Sequence, residues 1–399
     1  MLNSYCLMPG TLKKLVSSLF IIALGFQLIA QNPDIAVFTS GTDGHKSYRI
    51  PAIIQIPGGD LLAFAEGRAD GSDDFGNIDI VMKRSTDKGK TWSVMTTVVD
   101  YQKLQAGNPA PVVDLLDPNF PLGKIFLFYN TGNNHESEVK KGNGIREVYY
   151  KTSTDGAMTW SDPVNITAQV HKPNQPGVNP AYNFKEEWRS YANTPGHALQ
   201  FTSSIFKGRI YVAANHTGGG PGKPNEDYFA HGFFSDDHGK TFKLSETIPL
   251  AGSNESSAAE LSDGGLVFNS RNQKGDIRSR IVALSMTGGA TWDTIYFDHQ
   301  LPDPVCEGAI LNIGRKNGKN ILAFCNAADV KDRNNLTLRI SYDEGRSWPK
   351  SYLVDGSSGA DKKDFTAYSD IVAVTKNKIG VLYEKRDYSM IVFKLVSWK

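Results

Sequence analysis

Residues 85–92 read STDKGKTW, residues 235–242 SDDHGKTF and residues 341–348 SYDEGRSW. All three fit the pattern Ser-x-Asp-x-Gly-x-(Thr/Ser)-(Trp/Phe). Two more stretches fit it with one lapse each: 153–160 (STDGAMTW) has Ala157 in place of Gly, and 285–292 (SMTGGATW) has Thr287 in place of Asp. Successive copies start 68, 82, 50 and 56 residues apart, a spacing that signals an array of similar supersecondary units. Each copy spells a hairpin turn. The Asp side chain can accept from backbone N–H groups just ahead of it. The Gly supplies a positive φ at no steric cost, and the final aromatic anchors the turn on the apolar layer beneath. The segments before each copy (78–83, 147–151, 229–234, 280–284 and 336–340) are rich in Val, Ile, Tyr and Phe and read as strands. Strand, turn and strand repeated through the chain predict an all-β fold, a six-bladed β-propeller. The octapeptides are structural, because a turn tolerates the losses at Ala157 and Thr287 better than a catalytic motif would.

Composition agrees. With 399 residues the chain suits one large propeller domain, expected over 31–399. Its 43 Lys and Arg balance 42 Asp and Glu, so nucleic acid is not the expected partner. Residues 11–30 (TLKKLVSSLFIIALGFQLIA) place Lys13 and Lys14 before an apolar run, which predicts a signal peptide over 1–30 and a secreted or periplasmic protein without stable membrane insertion. Beyond that segment only Cys306 and Cys325 remain, and a disulfide and two buried thiols are equally open. Residues 218–224 (GGGPGKP) lack the GK[ST] ending of a phosphate loop and read as a loop between strands. Neither a linker nor a second domain stands out.

Three arginines have notable contexts: Arg49 in SYRIPA, Arg271 in FNSRNQ and Arg333 in DRNNLTLRI. With the Tyr-Arg-Ile-Pro motif and the repeated aspartate boxes in this order, the chain from about Val37 to Leu395 resembles the exo-α-sialidases (neuraminidases) of the cellular and bacterial type. The resemblance implies that Arg49, Arg271 and Arg333 converge at the propeller centre and grip the carboxylate of sialic acid. A guanidinium forks onto a carboxylate and stays charged at any working pH. It implies that Glu384, in VLYEKR, braces Arg49. It places the general acid/base about 25 residues after the first arginine, where GRADGSDDFGNID offers Asp74, with Asp73 as the alternative. It makes Tyr368, in FTAYSDIVAV, the nucleophile. A phenol with a pKa near 10 needs a base, and Glu255 in NESSAAEL matches that role, with Glu260 the alternative. A phenol also brings less charge than a carboxylate to an anomeric carbon that already bears one, and tyrosine-nucleophile sialidases are a recognised exception to two-carboxylate glycosidases. Arg68 and Asp114 match positions that contact the 4-hydroxyl of the ring, and residues 188–201 match a stretch lining the glycerol and aglycone side.

The implied activity is hydrolysis of terminal sialic acids from sialylated glycans with retention. It requires neither a metal nor an organic cofactor, and the protein is expected to act as a monomer. Transfer to another sugar or an intramolecular anhydro product is the alternative on the same residues. A non-catalytic propeller that binds glycans or proteins is the second.

Overall fold

The computed structural model describes residues 34–203, 205–218, 227–356 and 365–399. The predicted signal at 1–30, and residues 219–224 of the glycine-rich loop, lie outside the described residues. Short strands rich in β-branched and aromatic residues form up-and-down antiparallel sheets. One sheet runs in chain order through Ser253–Glu260, Leu266–Asn272, Ser279–Ser285 and Thr294–Pro302, and the next through Gly308–Lys316, Lys319–Ala327, Leu336–Ser341 and Lys350–Asp355. A third is built on Ile210–Thr217 and Tyr228–Ser235, with Tyr191–Asn193 on its first edge. An eight-stranded sheet contains the meander Ser47–Gln55, Leu61–Arg68, Ile78–Ser85, Thr96–Val99 and the meander Gln105–Asp114, Lys124–Gly132, Arg146–Ser153, Val164–Asn165. These two halves meet at one parallel bridge, Ile78 to Gln105. In the last sheet, Thr366–Thr375, Lys378–Lys385 and Met390–Ser397 are completed by Ile35–Thr39, which pairs antiparallel with Met390–Ser397.

The first strand of each meander packs on its counterparts. Ser47–Gln55 lies against both Gln105–Asp114 and Thr366–Thr375, while Gly308–Lys316 lies against both Ser253–Glu260 and Thr366–Thr375. The chain is an all-β propeller. Apolar side chains of neighbouring sheets fill the space between them: Phe64 and Ile80 meet Leu127, for instance, and Leu338 and Ile340 meet Ile379 and Val392. Each fully buried side chain of this size contributes about 1.5–3 kcal/mol. Cys306 and Cys325 are buried, unpaired thiols, which resolves that choice against a disulfide. Burial pushes both up to about 12, so neither is a reactive thiolate.

The boxes are the turns the sequence predicts, each following the third strand of a meander. In the first, Asp87 accepts from the backbone N–H groups of Lys90 and Thr91 and from the Thr91 hydroxyl, and Ser85 Oγ accepts from Gly89 N. The lapsed copies keep the bonds by substitution. Ala157 takes the left-handed conformation itself, with φ +67°. Thr287 Oγ1 accepts from Thr291 N at 2.8 Å where a carboxylate would. Packing adds a second demand on the glycine. A Cβ at Gly89 would enter the Phe393 ring of the neighbouring sheet, and one at Gly239 would enter the Phe126 ring. The last sheet has no box because its closing strand is Ile35–Thr39, supplied from the other end of the described chain.

Antiparallel order sorts the residues between two faces. Strand starts of the first and third strands share a face with strand ends of the second: Arg68 pairs with Ser47 and with Ile78, whereas Leu61 pairs with Gln55 and with Ser85. The boxes follow third-strand ends and therefore lie on the face opposite Arg68.

Candidate active site

On the face of Arg68 lies a pocket of about 260 Å³ whose lining includes Arg49, Arg68, Asp74, Glu255, Arg271, Arg333 and Tyr368. Local backbone geometry aims these side chains. The register slips between Arg49 and Ala52, between Ser253 and Ser256, and between Thr366 and Ser369, so three first strands bulge where they carry Arg49, Glu255 and Tyr368. Bulges re-aim side chains at the rims of sheets. At the first one Ile50 has φ +60°, a costly conformation for a β-branched residue. It is held by Ile50 N donating to Glu384 Oε1 at 2.9 Å.

Glu384 is fully buried and braces this corner. Arg49 Nε donates to Glu384 Oε1 at 2.8 Å, and Tyr368 N donates to Oε2 at 3.2 Å. Burial disfavours the charged form of Arg49, but the Glu384 carboxylate outweighs it and keeps the guanidinium more firmly protonated than usual. Removing one partner of such a buried pair costs about 3–5 kcal/mol.

Tyr368 and Glu255 meet directly. The phenol donates towards Glu255 at 2.6 and 2.8 Å from its two oxygens and accepts from Arg271 Nη1 at 2.8 Å. Arg271 Nη1 also donates to Glu255 Oε2 at 2.6 Å, while its buried Nε makes no hydrogen bond among the described residues. Desolvation, then the negative charge of Glu255, hold the phenol well above its ordinary pKa against the pull of Arg271 and Arg333. At rest Tyr368 is a neutral phenol with an acceptor in place for its proton. Glu260 lies elsewhere: it ends its strand, on the opposite face, and accepts from the backbone and hydroxyls of Thr202 and Ser203.

Asp74 reaches the pocket and Asp73 does not line it. The Asp74 side chain is 81% exposed, with Oδ1 2.8 Å from Arg68 Nη1 and 3.7 Å from Arg49 Nη1. Partial desolvation pushes its carboxyl up, but the two guanidiniums prevail and hold it below the usual range. Arg68 is itself fixed by Glu66, whose Oε2 accepts from Nε at 3.0 Å and Nη2 at 2.6 Å.

One predicted contact fails. Asp114 ends the strand that Gln105 begins, nine residues and roughly 30 Å from the pocket end at about 3.3 Å per residue. It is fully buried on the opposite face, accepting from Leu116 N, Asp117 N and Gln200, with His238 Nδ1 2.8 Å away. Asp114, Asp117 and His238 form the one grouping among the described residues with metal-ligand spacing; within it Asp114 Oδ1 takes the two backbone N–H groups and Gln200, and Oδ2 faces His238. The 188–201 segment divides. Ser190, Tyr191 and Ala192 line the pocket, while Trp188 stacks on His216 with centroids 3.5 Å apart.

Sequence reasoning missed Glu66, Gln105, Asn130, Glu136, Arg146 and Tyr228, which also line the wall. Arg146 is buried and donates to Gln105 Oε1, and burial lowers its pKa. Each of these positions stands at a first- or third-strand start or near a second-strand end, except Glu136, which opens the short helix Glu136–Lys140 between a second and a third strand; that placement is the signal that would have found them.

The chain is similar to known proteins along most of its length. The BNR repeat-like domain family matches residues 59–381, which hold Asp74, Glu255, Arg271, Arg333 and Tyr368. A sialidase of Micromonospora viridifaciens is 32% identical over 374 residues, covering 88% of this chain and 51% of that protein. A sialidase of Bacteroides fragilis is 27% identical over 370 residues, covering 88% of this chain and 62% of that one. The solved structure of a Hadza microbial sialidase superposes with a TM-score of 0.75 at 25% identity, over 92% of this chain and 68% of that chain. The chain thus spans between half and two thirds of the length of these curated relatives. It belongs to the BNR repeat-like domain family.

Proposed function

We propose that this protein is an exo-α-sialidase that releases terminal sialic acid from sialylated glycans with retention of configuration. The observation that carries the reading is the Tyr368–Glu255 pair in the same pocket as Arg49, Arg271 and Arg333. A mere binder has no use for a phenol with its own proton acceptor.

In this mechanism the arginines take the substrate carboxylate. Asp74 donates a proton to the departing glycosidic oxygen. The Tyr368 oxygen attacks the anomeric carbon as its proton passes to Glu255. A water then attacks the same carbon and loses its proton to Asp74, while the Tyr368 oxygen leaves and regains its proton from Glu255. Asp74 is held low in the free protein, so it must gain a proton as substrate binds. A carboxylate on Arg49 and the expulsion of water both favour that change. Arg68 positions Asp74 and faces the ring.

Six blades accompany this reading, supported by five boxes plus the boxless sheet closed by Ile35–Thr39, and by the single bridge that divides the eight-stranded sheet. A cleaved leader at 1–30 and export from the cytoplasm accompany it too, supported by the Lys13–Lys14 pair ahead of an apolar run. Among the described residues no helix is long and apolar enough to cross a membrane.

The test is release of sialic acid from 4-methylumbelliferyl sialoside by wild type and Tyr368→Phe, with the product identified by NMR. Turnover by wild type and a loss of about 10³-fold in the variant support the reading. A folded but inert wild type sinks it, and an anhydro or transferred sugar changes only the last step.

A further inference from the structure

Arg49 and Arg333 share two aromatic neighbours: the Tyr368 ring, whose centroid is 5.4 Å from each guanidinium carbon, and Tyr388, which meets both at closer range. The Arg49 guanidinium carbon lies 3.9 Å from the centroid of the Tyr388 ring. The Tyr388 hydroxyl accepts from Arg333 Nη1 at 3.1 Å, and Arg333 Nη2 donates to the Val305 carbonyl at 3.2 Å. The ring face attracts one cation and the phenol oxygen the other. One side chain therefore offsets part of the repulsion between two guanidiniums gathered into a single pocket. Tyr388 does not itself line that pocket.

The backbone that presents it is strained and tightly held. Arg386, Asp387 and Tyr388 are consecutive left-handed residues, with φ +52°, +52° and +59°. Non-glycine residues in this region persist only where their surroundings over-determine them. Here Arg386 N donates to Phe365 O, Ser389 N to Arg386 O, Ser40 N to Ser389 O and Ser40 Oγ to Tyr388 O. The Phe365 ring meets the Tyr388 ring edge-on, with centroids 5.2 Å apart. Two successive positive φ values are common in tight hairpins; here the run is three residues long, closes the hairpin between Lys378–Lys385 and Met390–Ser397, and ends on Tyr388 beside Arg49.

We propose that Tyr388 is a positioning residue that sets the separation and orientation of Arg49 and Arg333, so that both meet one substrate carboxylate. This rests on the sialidase reading of the pocket. Tyr388 acts through the arginines, so it governs substrate capture more than the chemical step.

The experiment compares wild type, Tyr388→Phe and Tyr388→Leu. Phe keeps the ring under Arg49 and loses the acceptor for Arg333, whereas Leu loses both. KM for 4-methylumbelliferyl sialoside should rise about tenfold in Phe and about 30-fold or more in Leu, with kcat within about twofold. A second readout is the ratio of affinities for free sialic acid and its C1 carboxamide, measured by calorimetry. That ratio should shrink about tenfold in Leu and recover in part in Phe. An unchanged KM in Leu overturns the proposal. So does a raised KM with an unchanged ratio, because general damage to the pocket would weaken both ligands alike. A wild type that binds both ligands without turnover fails the enzyme reading alone, and the calorimetric ratio still tests Tyr388. A wild type that binds neither overturns both.

Discussion

The phenol oxygen of Tyr368 stands 2.6 Å from one oxygen of Glu255 and 2.8 Å from Arg271 Nη1, so a single guanidinium touches both the proposed nucleophile and its base. The three groups form one unit. Tyr368→Phe should lower kcat by about 10³-fold and Glu255→Gln by about 10²-fold. The double variant should be no worse than Tyr368→Phe alone, since residues that act together are not additive. Additive losses in steady-state kinetics would mean that Glu255 serves something other than Tyr368.

Asp74 and Asp73 are neighbours in sequence with different surroundings. Asp74 lies between two guanidiniums, and Asp73 is exposed outside the pocket lining. Asp74→Asn should reduce turnover of sialyllactose by about 10²–10⁴-fold. The loss should be smaller for the 4-methylumbelliferyl sialoside, whose leaving group needs less protonation. Asp73→Asn should change either substrate by no more than about twofold. Equal losses on both substrates in Asp74→Asn would remove it from the role of acid.

Much of this was legible in the chain. The boxes dictate turns, and the turns dictate meanders, because an Asp or Thr acceptor and a left-handed residue suffice locally. The arginines, Glu384, Tyr368 and Glu255 came from the family resemblance, and the bulges that aim them left no mark in composition. Asp114 misled because an acidic residue after Pro-Val-Val says only that a strand ends. Whether that end faces the pocket depends on its place in the meander, and a first-strand end points away. Tyr388 was invisible for another reason: its role depends on three successive positive φ values in a hairpin of ordinary composition.

Asp114 itself supports a contrasting prediction. Its carboxylate satisfies two backbone N–H groups, Gln200 and His238 in a fully buried place. Asp114→Ala should cost about 2–4 kcal/mol in urea unfolding by leaving these donors unpaired. KM and kcat of the folded fraction should stay within about twofold of wild type. A selective rise in KM would return Asp114 to the substrate.

Acid should weaken the boxes. The Thr91 hydroxyl and backbone hydrogen bonds push Asp87 down to about 2 from an ordinary 3.8. A carboxylate lowered by folding stabilises above its unfolded pKa, and that stabilisation fades as pH falls from about 4 towards 2. Wild type should melt above Asp87→Asn at pH 6, and the gap should narrow steadily by pH 2.5. A gap independent of pH would show that the charge of Asp87 is irrelevant to the turn.

Two box glycines separate conformation from packing. Gly345 has φ +87°, and a Cβ there would find Trp348 and Leu322 at 3.7 and 3.8 Å, which is ordinary contact. Gly89 has the same φ, but its Cβ would enter the Phe393 ring that seals the neighbouring sheet. Gly345→Ala should therefore cost only the left-handed penalty of about 1–2 kcal/mol. Gly89→Ala adds the cost of overpacking, about 1–3 kcal/mol more. Phe393→Leu in the Gly89→Ala background should recover part of that excess by making room for the methyl, although it loses aromatic packing of its own. Equal destabilisation by the two alanines in urea titration would mean that the rings impose nothing on the turn, and that its glycine answers to backbone conformation alone.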